Sequence, residues 1–283
     1  MPRRTASSSS ATLHPTPVAA EHAERPEYRV EALAKGLRIL SLFNEQRPSW
    51  RVSDLATAAG LPMPTVYRVV MTLASEGYLD HLPNGDYRPG VRTLTLGTAA
   101  LRSLDLVAIA TPKLQELGER TGETVNLAML SGDRVLYLIR LRNSDLVTAN
   151  IQVGSTLPAV HTSIGKLLLA HLDQADLQAR ITDASFAANS GPNAKVSLAE
   201  LREELRTIRD QGWAMQDGEL AYGLRSIAAA ITAPDGRVLA GVNLAVQAHD
   251  WPRQRIIREL GPAVLAICAE ISGLLSDTNA RFP

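Results

Sequence analysis

Apolar positions recur at helical spacing through residues 28–44 (YRVEALAKGLRILSLFN), where Val30, Leu33, Leu37, Leu40 and Phe43 share one face and predict a first helix. Residues 52–70 (VSDLATAAGLPMPTVYRVV) read as two short helices around a glycine turn. Ser53 is placed to cap the first, with Asp54 in its opening turn. Leu55 and Ala59 fall on one face, and Gly60 supplies the left-handed residue that ends the helix. Pro64 suits the opening turn of the second helix, whose Val66, Val69 and Val70 point inward while Thr65, Tyr67 and Arg68 point out. Glu76-Gly77 stops it. A strand over 78–82, the tight turn Pro83-Asn84-Gly85-Asp86 and a return strand at Tyr87-Arg88 follow, and Trp50-Arg51-Val52 can pair with that hairpin. A helix pair followed at once by a small hairpin predicts a winged helix-turn-helix, whose second helix enters the DNA major groove.

Residues 91–102 keep a helical pattern, with Leu94, Leu96, Leu101 and Leu104 apolar. Such a connecting helix buries its face against something, and in a dimer that partner can be its own copy. A helix over 106–120 follows, with Leu106, Ile109, Leu114 and Leu117 inward and Gly122 as its stop. The period then changes to two. Strands are predicted over 123–130, 134–141, 146–153, 213–216, 226–232 and 238–246, with turns at Ser131-Gly132-Asp133 and Pro234-Asp235-Gly236. Between them lie a helix capped by Thr162 or Ser163 and running to His171, a short helix over 175–181, a loop over 184–194, and a helix opened by the box Ser197–Glu200 and closed by Gly212. A closing helix over 252–275 turns Ile256, Leu260, Val264, Ile267, Ile271 and Leu274 inward. Hairpin strands with segregated helices predict an α+β fold with an antiparallel sheet.

Length and composition sharpen this picture. The 283 residues accommodate two domains, divided here as a disordered leader (1–27), a DNA-binding domain (28–89), a linker helix (90–104) and a ligand-binding domain (105–277). Apolar residues make up 45%, and no apolar run suggests a membrane span. Net charge is zero, so DNA affinity must come from a local patch. Residues 28–92 carry eight basic and six acidic side chains, a bias of only +2, which argues for modest affinity per subunit and for a dimer or dimer of dimers on DNA. Cys268 is the sole cysteine, which excludes an intrachain disulfide and a multi-cysteine zinc site. No cofactor is implied. The leader is rich in Ser, Ala and Pro, and no apolar stretch follows Arg3-Arg4, so a cytoplasmic protein is expected.

The DNA-facing candidates are Ser53, Met63, Thr65, Tyr67 and Arg68 around the helix pair and Arg88 in the hairpin. Arginine can read guanine or clamp phosphate, and either arginine can instead be a solvated surface residue. Two other classes fit less well. An enzyme finds little support: no G-x-S-x-G surrounds Ser163, Val160 stands where a G-x-x-x-x-G-K loop needs glycine, and no H-E-x-x-H exists. An architectural DNA-binding protein needs no large second domain and a more basic surface.

The ordered motifs AKGLRIL, LATAAGLPMPTVYRVVMTLASEGYL, GETVNLAML, VGSTLPAVHTSIGKLLLA, LREELRTIRDQGWAMQDGELAYGLRSIAAAI and the closing helix resemble the IclR family of bacterial transcription regulators. The resemblance spans residues 28–275. It implies a winged helix-turn-helix, a linker helix and a GAF-like effector domain that senses a small organic acid as a dimer or dimer of dimers. HTSIGKLLLA and NLAVQAH are similar to the subgroup that controls protocatechuate, 4-hydroxybenzoate and β-ketoadipate catabolism, whose members repress or activate. By matching positions, the resemblance places Ser163, Ile164 and Gly165 at the effector, with Asn126, Ala128, Gln216, Ser226, Asn243 and Ala245 from the strands. A helix N-terminus offers N–H groups to a carboxylate. Arg140 and His161 are further candidates for an acidic ligand, Arg140 alternatively a surface strand residue and His161 alternatively structural. Family members with short keto-acid effectors tend to carry an acidic residue and a cysteine near Gln216 and Ser226. Their absence here argues against a glyoxylate-like ligand.

Overall fold

The computed structural model describes residues 28–44, 47–102, 104–142, 151–187 and 190–277. The expected leader and residues 146–150 of the expected third strand lie outside them.

Three helices and a hairpin form the first unit: α1 (Glu31–Leu40), α2 (Val52–Ala59), α3 (Met63–Ser75), β1 (Leu79–His81) and β2 (Tyr87–Pro89). Leu55, Ala59, Val66, Val70 and Ile39 meet in its core, closed by Trp50 and Tyr87. Trp50 bridges to Tyr87, so the hairpin is tied back to the chain that precedes α2. Gly60 ends α2 at φ 61°, the turn the sequence required. Two expectations fail here. Ser53 is not the cap: α2 begins at Val52, two residues earlier than that cap implies, Arg51 takes the cap position, and the exposed Ser53 hydroxyl donates to Asp54. The apolar face of α1 is also only partly covered: Val30, Leu33 and Leu37 face solvent, Leu40 and Phe43 pack half-buried against the core, and Ile39 is fully buried. Within one chain, α1 presents its edge to α2 and α3, leaving most of its apolar stripe uncovered.

Helix α4 (Val91–Arg102) leads to α5 (Asp105–Thr121) and then to a six-stranded antiparallel sheet ordered β5-β4-β3-β8-β7-β6. The strands are β3 (Thr124–Ser131), β4 (Arg134–Leu141), β5 (Thr156–Pro158), β6 (Trp213–Asp217), β7 (Leu224–Thr232) and β8 (Val238–Gln247). The described part of the expected third strand, residues 151–153, is irregular; backbone hydrogen bonds to β4 run from Gly154 and Ser155, which pair with Tyr137, into β5. Helix α5 and the closing helix α9 (Arg253–Asp277) cover one sheet face through Leu114, Leu117, Val264, Ile267 and Ile271. On the other face lie α6 (Ser163–Ala170), α7 (Gln174–Arg180) and α8 (Leu198–Gln211). Helix α9 is long and apolar enough to span a membrane, contrary to the reading of the sequence; here it is a core helix, with Leu275 rather than Leu274 turned inward.

Thr162 caps α6 by accepting from Gly165 N at 3.0 Å. Gly165 is obligatory: a Cβ there would stand 2.1 Å from the carbonyl oxygen of Ala159. The β3–β4 ladder carries a bulge between Leu127 and Ala128, and this irregularity decides which strand residues face α6.

Candidate functional site

Two regions concentrate chemistry. The first is the outer face of α3 with the hairpin beside it. Met63, Tyr67 and Arg68 are exposed, Thr65 is half-buried, and Arg88 projects from β2. Arg68 has no acidic partner among the described residues. Arg38 on α1 also shows none, whereas Arg88 pairs with Asp80 at 3.4 Å, Arg51 with Asp86 at 3.4 Å, Arg92 with Glu76 at 3.6 Å, and Arg47 with Asp54 while stacked on Trp50. Exposed pairs of this kind contribute little, so phosphates can replace the carboxylates at low cost.

The second region is a small cavity on the α6 face of the sheet. It is lined by Asn126, Tyr137, Arg140, Ile151, Thr162, Gln216, Leu220, Leu224, Ser226, Asn243 and Ala245. The space open to the centre of a water molecule is about 20 Å³, so this conformation is closed around the site. A chain of hydrogen bonds crosses the sheet beneath it. Arg140 donates to Asn126 Oδ1 at 3.1 Å, Asn126 Nδ2 to Asn243 Oδ1 at 2.8 Å, and Asn243 Nδ2 to Ser163 Oγ at 3.2 Å. Ser163 and Ser226 hydroxyls meet at 2.7 Å. Gln216 accepts from the backbone N–H of Glu219 at 3.0 Å, which leaves its Nε2 buried and unpartnered; Arg140 Nε is in the same state. Buried unpaired donors are costly, and a ligand that satisfies them recovers that cost.

Charge in this cavity is positive. Arg140 is the one ionised side chain in the lining, and burial, more than the neighbouring Arg142, lowers its pKa from the ordinary value. Burial pushes the Tyr137 hydroxyl up to about 12, so it stays neutral. Next to the cavity, fully buried Lys166 joins Glu204 on α8 and Glu219 at 2.5 and 2.6 Å. Glu219 belongs to the turn that carries Leu220 into the cavity wall, so Lys166 ties that wall to α6. Burial holds the Glu219 carboxyl above its ordinary pKa, Lys166 pulling back and Glu204 adding to the rise.

Of the expected ligand-contacting residues, the structure gathers Asn126, Arg140, Gln216, Ser226, Asn243 and Ala245 around the cavity. Ser163 sits behind it, hydrogen-bonded to the lining residues Ser226 and Asn243. The other four lie elsewhere. Ala128 and Ile164 pack in the core between sheet and α6, where Ile164 fills the space over Gly241. Gly165 is committed to its close approach to Ala159. His161 is fully buried, edge-on to Phe186 at 6.3 Å between ring centres. Burial lowers its pKa and keeps it neutral; the Phe186 backbone works slightly against this, yet neither ring nitrogen reaches a hydrogen bond of good geometry. The sequence reading missed Tyr137, Ile151, Thr162, Leu220 and Leu224. Thr162 was recognised only as a cap, and the bulge that turns Tyr137 inward leaves no mark in the pattern.

Comparison with known proteins covers both regions. The IclR helix-turn-helix domain family matches residues 32–83, and the family described as bacterial transcriptional regulator IclR C-terminal matches residues 98–273. The Pca regulon regulatory protein of Pseudomonas putida is 30% identical over 276 residues, 93% of this chain and 94% of that one. The HTH-type transcriptional regulator XynR of Escherichia coli (strain K12) is 31% identical over 217 residues, 76% of this chain and 86% of its own length. The crystal structure of an IclR homologue from Microbacterium hydrocarbonoxydans, complexed with 4-hydroxybenzoate, superposes with a TM-score of 0.67 at 25% identity, covering 86% of this chain and 98% of the other.

Proposed function

Because the chain belongs to the IclR family of bacterial transcriptional regulators, we propose that it binds operator DNA through α3 and the β1–β2 hairpin and adjusts that binding to a small organic acid held in the cavity. The acid is a metabolite of aromatic catabolism, a reading supported by the Pca regulon relative and by the homologue crystallised with 4-hydroxybenzoate. The observation that carries the effector half is the buried Arg140 guanidinium with an unpaired Nε at a cavity otherwise lined by neutral groups. A carboxylate is the ligand group that meets such a cation with charge-assisted hydrogen bonds. The cavity binds rather than catalyses: Ser163 is engaged by Asn243 and Ser226, not by a base.

The protein acts in the cytoplasm as a dimer or dimer of dimers. Supporting this, α1 exposes Leu33 and α4 exposes Val91 and Leu94 at 61%, 74% and 71%, apolar faces that a second copy can cover. Effector binding favours one spacing of the two DNA-reading units and shifts operator affinity by its preference for that state, typically about 1–3 kcal/mol. Operator titration with and without a panel of aromatic and dicarboxylic acids tests the whole reading. A change in apparent affinity of about 5-fold or more for at least one acid is expected. An affinity indifferent to every acid would sink the effector half.

A further inference from the structure

We infer that the protons left without an acceptor in the cavity select its ligand, which is an acid carrying a second hydrogen-bond acceptor, and that Asn126, Asn243 and Ser163 impose this by fixing the direction of one relay. The inference rests on the effector reading above and adds the chemistry of the ligand's second polar group.

The direction starts from an invariant of chemistry. A guanidinium only donates. Arg140 therefore turns the oxygen of the Asn126 amide toward itself, at 3.1 Å, and its nitrogen away. That nitrogen faces Asn243, which must present its oxygen, at 2.8 Å. The Asn243 nitrogen is then committed to Ser163 Oγ at 3.2 Å. Ser163 accepts there, and among the described residues the only acceptor within reach of its own proton is Ser226 Oγ at 2.7 Å. Ser226 accepts in turn, so its own O–H is the group left for the cavity. Every bond in the chain runs one way, from the cation to Ser226.

The opposite wall is set by the backbone. The Glu219 N–H can only donate, which assigns Gln216 Oε1 as its acceptor at 3.0 Å and leaves Nε2 without a partner. Thr162 Oγ1 is used up between Gly165 N and the Ala159 carbonyl. The groups left with a proton to place are then Arg140 Nε–H, Gln216 Nε2–H and Ser226 O–H, with the Tyr137 hydroxyl able to serve either way; the oxygens of Asn126, Asn243, Gln216 and Ser226 keep a spare lone pair, but each already accepts one bond, and a stranded proton costs more than an unused second lone pair. A carboxylate on Arg140 meets the first. Whatever faces Gln216 and Ser226 must accept, as a carboxylate, carbonyl or phenolic oxygen does. A group that only donates strands two buried donors against a third.

The test is calorimetric titration of the full-length protein with two benzoates of similar size: 4-formylbenzoate, whose second group only accepts, and 4-aminobenzoate, whose second group donates. The wild type is expected to prefer the formyl compound by about tenfold or more. Asn126→Asp places an acceptor beside both Arg140 and Asn243. Asn243 then turns its nitrogen to the new carboxylate and its oxygen to Ser163, Ser163 accepts from Ser226, and Ser226 shows the cavity lone pairs but no proton. The preference should collapse or invert, although both acids weaken because the added negative charge offsets that of Arg140. Ser163→Ala cuts the relay without adding charge and frees Ser226 to turn either way, so the preference should fall toward parity; thermal melting confirms that each variant folds. A wild type that does not discriminate, that binds neither benzoate, or whose preference survives both substitutions overturns the inference. The effector reading beneath it stands or falls separately, on the operator titration with the acid panel.

Discussion

Arg140 carries more of the proposed chemistry than any other side chain, and its place depends on one irregular residue. Tyr137 and Arg140 are three apart, which in a regular strand puts them on opposite faces. The β3–β4 ladder pairs Asn126 with Arg140 and Leu127 with Ile139, then slips so that Ala128 pairs with Tyr137. The slip turns Leu138 and Ile139 together toward α5 and α9, and Tyr137 with Arg140 toward the cavity. Arg140 stands out in the sequence by its charge, whereas strand alternation places Tyr137 on the opposite face and only the slip brings it to the cavity. Arg140→Gln removes the charge while keeping a polar side chain near Asn126, and should weaken effector binding by about 10- to 100-fold, the loss of about 1.5–3 kcal/mol of charged hydrogen bonding. The melting temperature should hold near the wild-type value; an unchanged effector affinity would remove Arg140 from the site. Glu219 adds a pH signature. Its folded pKa lies above the ordinary 4.5 because burial disfavours the carboxylate. The folded state thus keeps a proton that the unfolded chain releases, so this group's contribution is fully present below about pH 4.5 and is lost as pH rises through the folded value. Urea unfolding across about pH 4.5–8 should show the wild type losing stability relative to Glu219→Gln as pH rises, and parallel curves would contradict the assignment.

Among the elements, α2, α3 and the hairpin were the most legible, because turn chemistry and periodicity agree there: Gly60 ends α2, Pro64 lies in the first turn of α3, and Asn84-Gly85 makes the wing. Helix α1 lies where periodicity places it, but only the Leu40 and Phe43 end of its apolar stripe packs on the core. Periodicity reports that a stripe wants burial, not that its own chain supplies the cover. In α6 the resemblance suggested that Ser163, Ile164 and Gly165 line the cavity, yet the helix presents Thr162 there and spends Gly165 on packing. A motif match conveys which residues recur together, not which of them a ligand touches. Two predictions belong at this scale. Gly165→Ala forces a methyl into the Ala159 carbonyl, so the turn before α6 must move, Thr162 and Ser163 with it; stability should fall by about 2 kcal/mol or more by chemical denaturation. Wild-type stability in that variant would mean the turn is softer than its packing implies. On α3, Arg68→Ala should weaken operator binding, lower the slope of log affinity against log salt by about one, and leave effector titration intact. An unaltered salt slope would place Arg68 off the phosphates.

At the scale of the whole molecule, the weak charge of the DNA-reading unit and the uncovered faces of α1 and α4 point to the same arrangement. A domain with a bias of +2 over residues 28–92 gains little from phosphate attraction alone. Two such units held together gain from effective concentration instead, since the second half-site is met without a second diffusional search. Leu37 on α1 and Leu94 on α4 stand 56% and 71% exposed in the single chain, and neither belongs to α3 or the hairpin. The double substitution Leu37→Glu with Leu94→Glu places charge in both apolar faces without touching the cavity or the core. If those faces join subunits, sedimentation should show a lighter species, and affinity for a two-half-site operator should drop by about 100-fold or more. Affinity for an isolated half-site should stay near that of the wild type, because α3 is unchanged. Effector binding by calorimetry should persist, since the residues lining the Arg140 cavity all come from one chain. The coupling between them should vanish: with no second copy to move against, a bound acid has no spacing to alter and therefore no differential free energy to transmit to the operator. A variant that keeps its mass, its operator affinity and its response to acid would show that the exposed stripes of α1 and α4 serve another surface.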